Sequence, residues 1–238
     1  MIDRQHTVTS YDEELSFLSN RIAEMGGLAE RMVDQAVTAL IHSDLALSRT
    51  VIADDAILDA WQRDIDEKAV LLIARRQPMA SDLREIIGTI RIANDIERIG
   101  DLGKNIAKRV TAVAEMRQPV QLYRGLEALA ELTLIQLKEA LDMFANRRVE
   151  GVERLRARDE DIDAKYTSLF RELLTYMMED PRNISACTHL LFCAKNLERI
   201  GDHVTNIAES IHFMVTGRQP LDERPKDDGH NKLVVDQG

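Results

Sequence analysis

Glu97-Arg98-Ile99-Gly100-Asp101 is written twice in this chain, returning as Glu198-Arg199-Ile200-Gly201-Asp202. The likeness extends outward, from Ile92-Ala-Asn-Asp-Ile-Glu-Arg-Ile-Gly-Asp-Leu-Gly-Lys-Asn-Ile-Ala107 to Phe192-Cys-Ala-Lys-Asn-Leu-Glu-Arg-Ile-Gly-Asp-His-Val-Thr-Asn-Ile-Ala208, with Asn105 matched by Asn206. Each matched pair lies 101 residues apart. Self-similarity at one fixed offset signals a duplicated unit. In a chain of 238 residues such a unit is too long for a solenoid repeat and suits two similar domains. What repeats is mostly polar, which packing alone would not demand.

Working outward, both copies sit in helical patterns. Ser10-Tyr-Asp-Glu13 has the form of a capping box and predicts a helix start. Leu15, Leu18, Ile22, Met25, Ala29, Met32, Ala36 and Leu40 follow in steps of three and four, a long amphipathic helix interrupted by Gly26-Gly27. The seam loses phase near Ser43-Asp44. A second helix carries Val51, Leu58, Trp61, Ile65 and Leu72 and stops at Arg75-Arg-Gln-Pro78. A third, capped by Ser81, runs through the first motif to about Val113. Gln118-Pro119 is the predicted boundary, after which helices are expected at about 122–145, 149–178 and, beyond a break at Asp180-Pro181, to about Val215. Six helices without strand alternation predict an all-α fold of two tandem three-helix bundles related by duplication, over 10–116 and 120–216. The tail 217–238, rich in Pro, Asp and Lys, is expected to be disordered.

Composition narrows the function classes. Lys and Arg number 31 against 41 Asp and Glu, a net charge of −10, which argues against binding a nucleic-acid backbone. Cys187 and Cys193 lie in an apolar run with neither disulfide nor metal-ligand spacing, as expected of reduced core residues. No apolar run approaches the ~18 residues of a membrane span, and Met1-Ile-Asp-Arg4 has no signal-peptide pattern. The cytoplasm is the expected location, without direct membrane insertion.

The repeated acids have a geometric logic. Residues four apart share a helix face, so Glu97 projects with Asp101, and Glu198 with Asp202, away from the apolar stripe of their helix. The preceding helices carry Asp55 with Asp59, and Asp159 with Asp163. In an antiparallel hairpin, residues at one level share a midpoint. Asp55/Asp101 and Asp59/Glu97 share Pro78, and Asp159/Asp202 and Asp163/Glu198 share the Asp180-Pro181 junction. Each hairpin therefore brings four carboxylates to one level. Like-charge helix pairs cost ~0.2–0.5 kcal/mol each, and cations relieve them. Oxygen-only ligands suit hard or borderline metals, with Asn105 and Asn206 one turn on to orient ligands. The plainer alternative is a solvated acidic face neutralised by Arg91, Arg98, Lys104, Lys195 or Arg199. Glu209-Ser-Ile-His212 matches one element of a di-iron bundle but has no counterpart in the first half, so His212 reads as incidental, and His203 as a surface residue. No phosphate-binding loop, dinucleotide fingerprint or nucleophile elbow occurs.

These residues resemble the PhoU family of phosphate-signalling regulators. The doubled Glu-Arg-Ile-Gly-Asp with its following Asn-Ile carries the resemblance, together with Ala74-Arg-Arg-Gln-Pro-Met-Ala-Ser-Asp-Leu-Arg84 and Leu174-Thr-Tyr-Met-Met-Glu-Asp180, over about residues 10 to 216. It implies tandem three-helix bundles that can hold multinuclear iron or zinc clusters, one per bundle. By motif position the ligands would be Asp55, Asp59, Glu97 and Asp101, then Asp159, Asp163, Glu198 and Asp202. It also implies a non-enzymatic homodimer that couples a phosphate ABC transporter, through its ATPase subunit, to a sensor histidine kinase. The expected role is to repress the phosphate-starvation response when phosphate is plentiful, meeting the inner membrane only through those partners. The competing expectation from another class is a carboxylate-bridged hydrolase or oxidase on a helical bundle.

Overall fold

The computed structural model describes residues 2–114, 116 and 121–218. The boundary expected at Gln118-Pro119 and the tail from 219 onward lie outside these residues. Among the described residues the fold has six long helices: α1 (Ile2–His42), α2 (Leu45–Arg76), α3 (Ser81–Ala114), α4 (Gln121–Asn146), α5 (Val152–Glu179) and α6 (Ile184–Thr216). There is no strand among the described residues. Each half is a three-helix bundle, as the duplicated apolar stripes predict.

The turns follow from local chemistry. Ser43 turns left-handed at φ 53°, and Asp44 caps α2 by accepting from the Ala46 and Leu47 N–H groups at 2.9 and 3.0 Å. Gln77 ends α2 left-handed, its N–H donating to the Ile73 carbonyl, and Pro78 prevents continuation. In the second half Asp180 caps a single 3₁₀ turn at Pro181–Asn183, accepting from the Arg182 N–H. One expectation fails: α1 runs straight through Ser10, so the capping-box pattern there opens nothing. Residues 2–9 contain neither glycine nor proline to stop a helix, and a capping preference does not override continuation.

Val51, Leu58, Ile65 and Leu72 give α2 one narrow buried seam at a spacing of seven. The motif-bearing helices are buried more broadly. α3 packs on α1, α2 and α6, while α6 packs on α3, α4 and α5, which makes these two the central helices. They run antiparallel, because Gly88 meets Met214, Arg91 covers Phe213, Asp95 meets His203, and Arg109 meets His189 and Phe192. That register sets the two Glu-Arg-Ile-Gly-Asp segments level with one another at mid-molecule. α1 also packs on α4, crossing closely at Gly26, where an added Cβ would lie 2.3 Å from Leu141 Cδ2. Buried residues of both halves join in one hydrophobic cluster that includes Ile99, Ile106, Ile200 and Ile207.

Candidate metal centres

The α2–α3 hairpin delivers the first four acids to one place. Lys104, one turn beyond the motif, puts its Nζ 2.6 Å from Asp55 Oδ2 and 2.5 Å from Asp101 Oδ1, tying the two helices at the level predicted from Pro78. Arg98 lies 3.5 Å from both Glu97 and Asp101. Burial pushes the Glu97 carboxyl up from its ordinary value. Arg98 opposes this, and the charges of Asp101, Asp59 and Asp55 add to it, so Glu97 feels the other three carboxylates. Burial acts against the Lys104 ammonium, but hydrogen bonds and charge from Asp101 and Asp55 outweigh it and hold the group protonated. Beneath them Gly100 admits Leu58, whose Cδ2 would lie 2.2 Å from a Cβ there.

The α5–α6 hairpin assembles its acids differently. Glu198 accepts from Lys195 at 2.6 Å through Oε1, while Oε2 is buried with no hydrogen-bond partner. Burial again raises its carboxyl first, Lys195 opposes, and Asp202 and Asp159 add to the rise. Asp159 reaches inward over Gly201, where a Cβ would meet its Oδ1 at 2.9 Å. Asp163 and Asp202 are exposed, and Asp163 is not among the main charges acting on Glu198.

Gln136 on α4 was not singled out by sequence reasoning. It is fully buried, and its Nε2 donates to the Leu155 carbonyl at 3.1 Å and to Asp159 Oδ1 at 3.4 Å. The available signal was a pair of polar residues, Thr133 and Gln136, at core positions of the apolar stripe Leu126, Leu129, Ala130 and Leu137. Of the two asparagines, Asn105 is exposed, and Asn206 donates to Asp95 across the α3–α6 seam at 3.3 Å. His203, expected at the surface, is part-buried with Nδ1 2.9 Å from Asp95.

The donor chemistry fits a cation. The carboxylates are oxygen ligands, and the orphaned buried Glu198 Oε2 lacks a partner of the kind a cation would supply. Among the described residues, however, no three His, Cys, Asp or Glu side chains are grouped to hold a metal ion as they stand. In the first group the reason is visible, since Lys104 stands between two of the acids. Binding there requires side-chain rotation and withdrawal of that ammonium.

The described residues form an all-α protein of two fused three-helix bundles, with acids of the second and third helices near one another in each. The chain belongs to the PhoU family: the family model described as "PhoU domain" matches residues 22–110 and 126–211, one motif copy in each. It is 67% identical over 223 residues to the "Phosphate-specific transport system accessory protein PhoU homolog" of Rhizobium meliloti, spanning 94% of either chain. It is 47% identical to the protein of the same description from Caulobacter vibrioides, over 93% of this chain and 96% of that one. The crystal structure of PhoU from Pseudomonas aeruginosa superposes with a TM-score of 0.84 at 38% identity, covering 87% of this chain and 100% of that one. The phosphate transport system regulatory protein PhoU of Streptococcus pneumoniae gives 0.79 at 28% identity, covering 88% and 99%.

Proposed function

We propose that this chain is a non-enzymatic regulator of phosphate uptake and of phosphate-starvation signalling. It couples a phosphate ABC transporter, through the ATPase subunit, to a sensor histidine kinase and represses the starvation response when phosphate is plentiful. The observation that carries the reading is the identity of 67% across 94% of both chains with a relative described as an accessory protein of phosphate-specific transport. No helix among the described residues is long and apolar enough to cross a membrane. Action on a membrane transporter then goes through protein contacts, and a homodimer is part of the proposal. A hydrolase or oxidase would need a base or nucleophile beside its carboxylates. The amine placed there, Lys104, is held protonated by Asp55 and Asp101 and is a poor base.

The eight carboxylates are proposed as two cation sites, one per bundle: Asp55, Asp59, Glu97 and Asp101, and Asp159, Asp163, Glu198 and Asp202, with iron or zinc as the ions. At metal saturation, Glu97→Gln with Asp101→Asn should remove about half of the bound metal. The regulatory reading is tested by deleting the gene and following a phosphate-starvation reporter in high phosphate. The reporter should switch on and be silenced again by the wild-type gene supplied in trans. A reporter that stays off in the deletion strain would sink the proposal.

A further inference from the structure

Beyond their crossing at Gly26 and Leu141, α1 runs on to Ile41 while α4 runs back towards Glu127. At the offset of 101 residues Gly26 corresponds to Glu127 and Leu141 to Leu40, so a glycine that admits a neighbour is replaced by a charged side chain. On this side of the crossing the two helices flank a cleft of about 380 Å³. Val37 is buried in its floor, Ile41 and Leu134 are half-buried beside it, and Ile135 is 46% exposed. Glu30 and Asp34 of α1 and Glu127 and Glu131 of α4 line it as well, against one cation among the described residues, Lys138. Among the described residues none of these four carboxylates has a hydrogen bond or ion pair. Within each helix the two acids stand one turn apart, a like-charge pairing that disfavours the helix.

We propose that this cleft between α1 and α4 is the docking site of a basic amphipathic helix belonging to another protein. A helix laid in the cleft needs apolar residues at i, i+3, i+4 and i+7 to cover the floor, with lysines or arginines on its flanks to meet the carboxylates. From residue 30 to residue 41 of α1 the cleft runs for roughly 16 Å, or three turns, which is long enough for such a stripe. Charge chooses this occupant over the others. A second copy of the chain bringing the same face would set four carboxylates against four, and its net charge of −10 opposes approach by other faces. The chain's own stretch 219–238 carries five acids against three Lys and Arg and has the wrong sign. An anionic bilayer is repelled for the same reason. Docking here does not depend on the phosphate reading, since a partner from any system that brings such a helix satisfies it.

The test is cross-linking in cells followed by binding with purified protein. Full-length protein with Thr38→p-benzoylphenylalanine, an exposed position on the cleft, is irradiated in the cell and the cross-linked segment is sequenced by mass spectrometry. That segment should come from another protein, carry net positive charge and have apolar residues at helical spacing. A synthetic peptide of it should bind the purified wild type, and less tightly as salt is raised. Glu127→Gln with Glu131→Gln should weaken binding about tenfold or more. Glu127→Lys with Glu131→Lys should abolish it, and a peptide whose lysines and arginines are changed to glutamate should regain it. A Tm of the glutamine variant at or above the wild-type value shows that binding, not folding, was lost. A cross-link to a second copy, to an acidic or uncharged segment, or to nothing would overturn the proposal, as would a peptide affinity indifferent to these substitutions. A starvation reporter that stays off in the deletion strain sinks the phosphate reading alone and leaves the cross-linking result standing.

Discussion

His189 shows how one side chain is governed by what packs against it. A guanidinium only donates, so Arg109 at 3.2 Å requires His189 Nδ1 to accept, which places the ring proton on Nε2. Burial and then the Arg109 charge lower its pKa from the ordinary 6.5. A histidine depressed in the folded state contributes stability above its unfolded value, and that contribution is lost as pH falls through the folded value. Between pH 7.5 and 5.5 the wild type should therefore lose more Tm than His189→Gln does. The pH dependence of the difference between the two proteins isolates the residue, and equal slopes would refute the assignment. Asp44 supports a second prediction. Its carboxylate accepts from two N–H groups that α2 would otherwise leave unpaired. Asp44→Ala should cost about 1 kcal/mol in a denaturant titration.

At the scale of the element, Gly26 and Gly27 are adjacent on α1 and opposite in consequence. A Cβ at Gly27 meets nothing within 4 Å, whereas one at Gly26 would strike both methyls and Cγ of Leu141 on α4. Gly27→Ala should stabilise the protein by roughly 0.5–1 kcal/mol through helix propensity. Gly26→Ala should destabilise it by about 1–3 kcal/mol through overpacking, with Leu141→Ala in the same chain relieving part of the loss. Thermal melts of the three variants and wild type check both signs. The sequence marks the glycine pair as a bend or a close crossing. Which glycine carries the crossing depends on the rotation of α1 against α4, which one helix's periodicity does not report.

At the scale of the molecule, the halves 10–116 and 120–216 are proposed as duplicated domains that fold only together. Their cores are continuous through α3 and α6, and Arg109 stacks on Phe192 at 4.3 Å while Asp95 binds His203 and Asn206 across the seam. A chain ending at residue 116 would expose the α3 face that α6 covers. Such a half should form a dimer or larger assembly in size-exclusion chromatography with light scattering, since an apolar face of that kind is unstable in water. A well-folded monomeric half would contradict the proposal.

The sequence by itself determined the helices apart from the start of α1, their order and the level at which the α2–α3 hairpin brings its acids together. These follow from local periodicity, from turn chemistry at Ser43-Asp44, Pro78 and Pro181, and from the constant midpoint of an antiparallel hairpin. Only the tertiary structure decided which face of α3 meets α6, because a helix buried on several sides carries no label for its neighbours. It also decided how the acids are neutralised. Lys104 was one of five nearby cations by sequence, and its bridge from Asp101 to Asp55 depends on the distance between α2 and α3. Gln136 acts on Asp159 from a helix 23 residues away in the chain, and only the packing of α4 against α5 and α6 brings its amide to the carboxylate.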